Sequence, residues 1–220
     1  VVMLSRQLGD RLLEMHAGKW RKLASGSREV RGKTLGVVGY GHIGTQVGIL
    51  AEFFGMRVVF YDIAAKLPLG NCRSLNTLDA VLEESDFVTL HVPETAQTRN
   101  MIGKAQLDRM KKGASLINNA RGTVVDLGAL AAALDSGQLG GAALDVFPEE
   151  PEANSADGFT TPLQGKKNVI LTPHIGGSTL EAQEAIGREV ASSLTRFTRT
   201  GATTGSVNFP AVELGQSPGT

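Results

Sequence analysis

From Thr34 onward, short apolar runs rich in β-branched residues alternate with amphipathic or polar stretches. The runs are apolar at consecutive positions rather than at every second position, which is typical of parallel strands covered on both faces. They occupy residues 34–40, 56–62, 86–92, 114–120, 140–146 and 168–174. This alternation predicts the α/β fold class, with helices on both sides of a doubly wound parallel sheet.

Helical patterns fill the segments between these runs. The first pattern has apolar residues at helical spacing, namely Ile43, Val47, Leu50, Ala51 and Phe54. It predicts a helix that packs this face on the sheet and stops at Gly55. Residues 76–85 and 126–137 predict two further helices. A capping box of Ser178 and Glu181 predicts the start of a long helix.

Composition narrows the class of protein. With 220 residues and 41% hydrophobic content, the chain is long enough to bury a sizeable core. Its 22 basic and 22 acidic residues balance, so no overall field attracts nucleic acid or an acidic membrane surface. Cys72 is the only cysteine, no apolar run is long enough to span a bilayer, and we identify neither a signal peptide nor a metal-binding motif. We therefore expect a soluble protein of the reducing cytoplasm.

A glycine pattern, Gly39-Tyr-Gly41-His-Ile-Gly44, lies between the first predicted strand and the helix after it. In that context the pattern indicates a dinucleotide-binding fingerprint and a Rossmann-type domain. Gly39 permits the tight turn, Gly41 lets the backbone approach a pyrophosphate, and Gly44 lets helix and strand pack closely. The free amides of His42 and Ile43 then face the anion at the N-terminus of the helix.

The second predicted strand ends at Asp62, 18 positions after Gly44. A carboxylate at this position accepts hydrogen bonds from the ribose hydroxyls of the adenosine. The residues that follow supply no arginine for a 2′-phosphate, and Lys66 is the only cation nearby. The sequence therefore predicts NAD rather than NADP as the cofactor.

Reactive side chains fall at the carboxyl ends of the other predicted strands, where ligands bind in open α/β sheets. They are His91, Arg121, Asp145, Glu149, Glu150 and His174. An arginine can hold a substrate carboxylate, a histidine can move a hydroxyl proton, and a carboxylate can orient that histidine. The set suits hydride transfer at a small 2-hydroxy or 2-oxo acid.

Chemistry alone leaves the role of each residue open. Either His91 or His174 fits the acid–base role, and His91 fits equally well as the cap of a buried strand. Glu149 and Glu150 also fit a solvated acidic loop, and Arg121 fits a surface position after a strand.

Four motifs resemble the NAD-dependent D-2-hydroxyacid dehydrogenase family in their order and intervals, and the resemblance extends from Gly18 to Pro210. They are GKTLGVVGYGHIGTQVGILAEFFGMRVVFYDI, LINNARGTVVD, GGAALDVFPEEP and LTPHIGGSTLEAQEAIG. The resemblance implies hydride transfer between a 2-hydroxy acid and NAD. The motifs look most like the bacterial and fungal branch that oxidises 3-phospho-D-glycerate in L-serine biosynthesis.

The resemblance also implies residue roles. Arg121 would bind the carboxylate and carbonyl oxygen of the substrate, His174 would be the general acid/base, and Glu150 would be the partner of His174. Contacts with the cofactor are implied at His42, Ile43, Asp62, Val92, Asn119, Ala120, Arg121, Asp145, His174, Ile175, Gly176 and Gly177.

The family pattern implies four segments in this chain. We expect an opening helix and basic arm in residues 1–33, the NAD-binding domain in 34–178, a return helix in 179–200 and a tail in 201–220. The chain opens with Val1 rather than Met, directly in a helical pattern. We therefore expect a piece of a longer protein that lacks most of the substrate domain and, without its closing loop, turns over substrate very slowly or not at all.

Two other functions fit the same residues. Another D-2-hydroxyacid dehydrogenase, such as a glyoxylate, hydroxypyruvate or 2-oxoglutarate reductase, would share the site, and a non-catalytic NAD-binding module would share the fold. The segment from His16 to Lys33 carries the only tryptophan, among basic residues. Because tryptophan is an efficient interface anchor and the enzymes that the chain resembles are oligomers, we predict a homodimer in which Trp20 packs on the second subunit.

Overall fold

The strands predicted from the apolar runs form one parallel sheet. They are β1 (Thr34–Val38), β2 (Arg57–Tyr61), β3 (Arg73–Ser74), β4 (Phe87–Leu90), β5 (Ala114–Asn118), β6 (Leu139–Leu144) and β7 (Val169–Leu171). The computed structural model describes residues 1–154, 158–206 and 208–212, and within them the sheet has seven strands in the order β3-β2-β1-β4-β5-β6-β7. The predicted doubly wound α/β fold is confirmed.

Helices connect the strands as the amphipathic patterns predict. They are α1 (Val2–Ser5), α2 (Leu8–His16), α3 (His42–Phe53), α4 (Leu78–Glu84), α5 (Lys104–Arg109), α6 (Leu127–Asp135) and α7 (Leu180–Thr200). Gly55 adopts a left-handed φ of 72° just after α3, as predicted for the end of that helix. The sequence patterns missed β3 and α5 because segments of two and six residues are too short to show a period.

Alternate residues of the longer strands enter apolar clusters on the two faces of the sheet. Val37 of β1 belongs to a cluster that includes Ala51 of α3, whereas Val38 belongs to a cluster that includes Leu82 of α4. Each fully buried Leu or Val side chain contributes about 1.5–3 kcal/mol. Burial on both faces is the reason that these strands are apolar at consecutive positions.

The predicted apolar face of α3 is wrong in part. The residues of the helix that are buried are Gly44, Gly48 and Ala51. The large apolar side chains of this segment are more than half exposed, at Ile43, Leu50, Phe53 and Phe54. Small residues face the sheet because the helix backbone lies very close to it. A Cβ atom on Gly44 would strike the carbonyl oxygen of Gly39.

The N-terminal segment contains two short helices rather than the continuous helical stretch expected over residues 1–20. The break is at Gln7, which adopts a left-handed φ of 52°. Asn168 fastens both helices to the start of β7, because its amide nitrogen donates to Leu4 O (3.2 Å) and its backbone N–H donates to Asp10 Oδ2 (3.0 Å). Trp20 follows α2 in a segment without helix or strand and is 80% exposed.

The chain consists of two compact units, Val1–Pro173 and His174–Thr220. The second unit contains α7, which begins one residue later than the capping-box prediction places it. Thr179, not Ser178, is the N-cap, because its hydroxyl accepts a hydrogen bond from Ala182 N at 3.0 Å. The apolar side chains of α7 are exposed, at Leu180, Ile186, Val190, Leu194 and Phe197.

Part of the predicted tail folds back on itself. The backbone N–H of Thr203 donates to Val212 O at 3.0 Å. Residues 207 and 213–220 of this tail lie outside the described residues. Among the residues that the structure describes, no helix combines the length and the apolar character needed to cross a bilayer.

Candidate active site

The glycine loop lies between β1 and α3, as predicted. Gly39 adopts a φ of 90°, and a Cβ atom there would lie 2.5 Å from His91 O. Gly41 is the N-cap of α3, and a Cβ atom on it would meet nothing within 4 Å. Gly39 therefore makes the turn possible, while Gly41 presents bare backbone to open space at a helix N-terminus. These features fit a dinucleotide pyrophosphate.

Asp62 follows β2 and is held by backbone groups on both carboxylate oxygens. Tyr40 N donates to Oδ2 at 2.8 Å and Ala64 N donates to Oδ1 at 2.9 Å. The first bond ties the carboxylate to the glycine loop. A fixed negative charge beside that loop suits ribose hydroxyls and repels a 2′-phosphate, so the residues present fit NAD.

The loop after β4 holds His91 in a structural arrangement. Its backbone N–H donates to Val38 O at 2.7 Å, and its ring nitrogen Nε2 shares a 3.1 Å hydrogen bond with Thr89 Oγ1. Burial lowers the pKa of His91, which favours the neutral ring. The next residue, Val92, has a methyl group 3.1 Å from the position of a Cβ atom on Gly39. His91 therefore has the contacts of a strand cap, and Val92 borders the glycine loop.

The loop after β5 carries Asn119, Ala120 and Arg121, and a buried asparagine shapes it. Asn118 is fully buried at the end of β5. Its Oδ1 accepts from Ala120 N at 3.1 Å and its Nδ2 donates to Arg121 O at 3.0 Å. The Arg121 side chain is exposed and donates to Ala120 O at 2.7 Å. The sequence analysis did not identify Asn118, although a polar residue inside an apolar run is a usable signal.

The end of β6 carries Asp145, and a second buried hydrogen bond fixes it. Thr172, just after β7, donates its hydroxyl to Asp145 Oδ1 at 2.5 Å. The backbone N–H of Asp145 donates to Asn118 O at 3.1 Å. The sequence analysis also missed Thr172, because a threonine after a strand has no distinctive spacing.

Glu150 lies in the loop after β6, which packs on the loop after β5. Glu150 Oε1 accepts a 2.9 Å hydrogen bond from Phe147 N. Gly122, next to Arg121, packs directly against the backbone of Phe147 and Pro148. The loop that carries Arg121 and the loop that carries Glu150 are therefore neighbours. This arrangement places a guanidinium and a carboxylate at the same edge of the sheet.

A cavity of about 380 Å³ borders this edge. The first four residues of the chain line one side of it, and residues at the ends of β5, β6 and β7 line the other, including Asn119, Leu144 and Thr172. Its lining is mainly apolar, with Asn119 and Thr172 as its two hydrogen-bonding side chains.

His174 is the first residue of the second compact unit. It adopts a left-handed φ of 54°, which is uncommon outside glycine and is found more often at functional sites than elsewhere. His174, Ile175, Gly176 and Gly177 are all exposed. Ser178 N donates to Ile175 O at 3.0 Å, which turns the chain toward α7. The pairing of His174 with Glu150 stays a prediction.

Comparisons with known proteins agree on one family. A family model described as the D-isomer specific 2-hydroxyacid dehydrogenase NAD binding domain matches residues 1–176. A D-3-phosphoglycerate dehydrogenase of Dictyostelium discoideum is 54% identical over 220 residues, which cover 100% of this chain and 54% of the relative. One from Escherichia coli K12 is 56% identical over 214 residues, which cover 97% of this chain and 52% of the relative. The chain thus spans about half the length of these curated relatives.

Solved structures give the same result. The NAD-complexed form of a D-isomer specific 2-hydroxyacid dehydrogenase from Lactobacillus delbrueckii ssp. bulgaricus aligns with a TM-score of 0.80 and 33% identity. The alignment covers 90% of this chain and 62% of that protein.

Proposed function

The chain belongs to the D-isomer specific 2-hydroxyacid dehydrogenase family as its NAD-binding domain, and from this premise we propose that it serves the NAD-dependent oxidation of 3-phospho-D-glycerate to 3-phosphohydroxypyruvate, in L-serine biosynthesis. Identity of 54% and 56% to proteins named D-3-phosphoglycerate dehydrogenase supports this substrate over those of other family members. The observation that carries the proposed activity is the packing of the Arg121 loop against the Glu150 loop through Gly122.

The cofactor is held by the half of the sheet around β1 and β2. The backbone N–H groups at the start of α3 would bind the pyrophosphate, and bare backbone at Gly41 would allow its approach. The Asp62 carboxylate would accept hydrogen bonds from the adenosine ribose. On the other half, Asn119, Ala120 and Asp145 would contact the nicotinamide end. When bound, NAD supplies the acceptor for the hydride that leaves C2 of the substrate.

Three side chains act on the substrate or on one another. Arg121 donates hydrogen bonds to the substrate carboxylate and to the oxygen on C2. Neutral His174 takes the proton of the C2 hydroxyl, and the Glu150 carboxylate stabilises the imidazolium that forms. In the reverse direction the imidazolium returns this proton. The exposure of Arg121 and the left-handed backbone at His174 support these roles.

A homodimer formed through the nucleotide domain is part of the same proposal. Trp20 is 80% exposed, and the large apolar side chains of α3 form a second exposed surface. An exposed tryptophan and an apolar helix face are typical of an interface between subunits. Trp20→Ala should shift the sedimentation of the protein from dimer to monomer without changing its circular dichroism. Ile63→Ala, which removes an exposed apolar side chain on another loop, is the control. A Trp20→Ala variant that stays dimeric would contradict the proposal that Trp20 packs on the second subunit.

The cytoplasmic location stays a proposal as well. It is supported by the single free thiol, Cys72, which is buried. Cell fractionation with an antibody against the protein tests it, and recovery from a membrane or secreted fraction would contradict it.

Cofactor and substrate preference test the proposed function directly. Calorimetry should show tighter binding of NADH than of NADPH, and Asp62→Ala should reduce that preference about tenfold. Steady-state assays of the complete protein should give a higher kcat/KM with 3-phospho-D-glycerate than with glycerate or 2-hydroxyglutarate. Equal binding of the two cofactors would contradict the role of Asp62. NADH binding without turnover of any 2-hydroxy acid would favour a non-catalytic module.

A further inference from the structure

The loop between β2 and β3 has few internal contacts for its length. It leaves β2 at Asp62 and returns to the sheet at Arg73. Ile63 is 95% exposed and Leu67 is 87% exposed. Within the described residues, the hydrogen bonds of this loop lie at its two ends, near Asp62 and near Cys72. The course of its middle part therefore depends on what holds those ends.

The far end of the loop is held by one carboxylate from α3. Glu52 Oε1 accepts a 2.6 Å hydrogen bond from Asn71 N and lies 3.7 Å from the Cys72 thiol. Burial raises the pKa of Cys72, so the thiol stays protonated and can donate. Gly70 packs against the second carboxylate oxygen. Glu52 thus contacts three consecutive residues of the loop, and the bond from Asn71 is charge-assisted and stronger than a neutral one.

Tyr40 links this anchored end to the near end of the loop. Its ring stacks on Phe60 of β2 with centroids 3.7 Å apart, and its edge lies next to Gly48 of α3. Its hydroxyl is buried next to the Cys72 thiol and the backbone of Leu69, and burial raises its pKa to about 12. Its backbone N–H is the donor that holds Asp62 Oδ2. Tyr40 therefore contacts both ends of the loop, Cys72 through its hydroxyl and Asp62 through its backbone.

Glu52 lies too far along α3 to contact the pyrophosphate. It is ten residues after His42, which corresponds to about 15 Å along the helix axis. Any effect of Glu52 on the cofactor therefore passes through the loop that it holds. That loop starts at the residue proposed to bind the adenosine ribose.

We propose that Glu52 is a positioning residue for the adenosine half of NAD, which it serves by fastening the Asp62–Cys72 loop to α3. The inference rests on the proposed NAD site. The anchor acts on the adenosine end alone, because its contacts are confined to α3, Asn71 and the residues on either side of Asn71. The residues proposed to contact the nicotinamide end follow other strands, β5 and β6.

Binding of three ligands distinguishes an effect on the adenosine end of the cofactor from an effect on the nicotinamide end. NADH and ADP-ribose both contain the adenosine, whereas reduced nicotinamide mononucleotide does not. Glu52→Ala should lower the affinities for NADH and for ADP-ribose by the same factor, about tenfold for a lost charge-assisted bond. The affinity for the mononucleotide should not change. Glu52→Gln, which keeps an acceptor oxygen, should recover most of the affinity. Glu83→Ala, which removes a surface hydrogen bond between Glu83 of α4 and Arg109 of α5, is the matched control.

Amide hydrogen exchange without any ligand gives a second readout. The Asn71 amide should exchange at least several-fold faster in Glu52→Ala, because that amide loses its acceptor, while core strand amides keep wild-type rates. If Glu52→Ala fails to fold, Glu52→Asp carries the same test, because it keeps the charge but withdraws it from Asn71.

Each outcome decides a different claim. A wild-type affinity for NADH in Glu52→Ala would overturn the anchor while leaving the NAD site intact. Equal losses for ADP-ribose and the mononucleotide would also overturn it, because they would indicate a general loss of structure. A wild-type protein that binds neither NADH nor ADP-ribose would overturn the NAD site and the anchor together.

Discussion

The two halves of the cofactor edge are built differently. Around β1 and β2 the contacts are made by backbone, because Asp62 is held by the amides of Tyr40 and Ala64 and the helix start is bare at Gly41. Around β5, β6 and β7 polar side chains fix the loops, chiefly the buried Asn118 and the partly buried Thr172. The first half depends on exposed backbone groups and is suited to binding the cofactor. The second half depends on specific side chains and is suited to the chemical step.

The largest effect is expected from the proposed acid–base residue on the chemical half. His174→Ala should lower kcat of the complete enzyme by about 10²–10⁴ at every pH, since no other group takes the hydroxyl proton. NADH affinity measured by calorimetry should stay within a few-fold of wild type. His91→Gln is the matched control and should keep most turnover, because His91 is bonded to Thr89. The opposite result would make His91 the acid–base residue.

A pair of glycine variants tests the binding half. Gly44→Ala should destabilise the fold by at least about 2 kcal/mol, because its Cβ atom meets the Gly39 carbonyl. Gly41→Ala should cost less stability than Gly44→Ala, because its Cβ atom meets nothing within 4 Å and only a poorer N-cap residue is introduced. It should weaken the binding of NADH by occupying the space for the pyrophosphate. Urea unfolding and calorimetry measure the two quantities. A Gly41→Ala variant with full NADH affinity would mean that the pyrophosphate lies elsewhere.

The buried amide of Asn118 should matter for stability and for turnover. Asn118→Ala removes two hydrogen bonds and leaves Ala120 N without its acceptor, so unfolding should become easier by about 2 kcal/mol. Because the loop that carries Arg121 loses the hydrogen bonds that hold its conformation, kcat should fall by a larger factor than the affinity for NADH. Asn119→Ala, at the exposed neighbour, is the control for stability. Equal stabilities for the two variants would show that the Asn118 bonds contribute little.

The sequence predicted the backbone half of the edge better than the side-chain half, for a physical reason. Glycines that permit a turn or a close approach have a fixed spacing, so the turn at Gly39 and the close packing at Gly44 could be predicted. Asn118 and Thr172 act through hydrogen bonds between loops that are distant in sequence, and no local pattern encodes such a bond. The roles of Arg121, Glu150 and His174 came from family resemblance rather than from spacing.

Helix faces show the same limit. Apolar spacing located α3 correctly, but its large apolar side chains are exposed while Gly44 and Gly48 face the sheet. A periodic pattern predicts that a helix forms. Which face of the helix packs on the sheet depends on how closely the helix backbone approaches the strands. The cap of α7 at Thr179 rather than Ser178 likewise depends on a local backbone geometry that both residues permit.

The smallest effect expected is on the pH dependence of stability. Burial lowers the folded-state pKa of His91 below its usual value of 6.5, so the unfolded chain binds a proton that the folded chain does not. The stability from the neutral ring is therefore complete above pH 6.5 and is lost as the pH falls below it. His91→Gln should flatten this decline in urea titrations between pH 7 and about pH 5, whereas His16→Gln, at an exposed histidine, should not. An unchanged decline in His91→Gln would contradict the burial of this ring.

The central claim is that the chemical half works through a Glu150–His174 pair, and the pH profile of kcat/KM for 3-phospho-D-glycerate oxidation tests it most directly. Turnover requires the neutral ring of His174, and the proposed Glu150 carboxylate would stabilise the imidazolium. Glu150→Gln should therefore move the acidic limb of the profile to lower pH while also lowering the plateau. A lower plateau with an unshifted acidic limb would contradict the pairing and leave Glu150 as a structural residue bonded to Phe147.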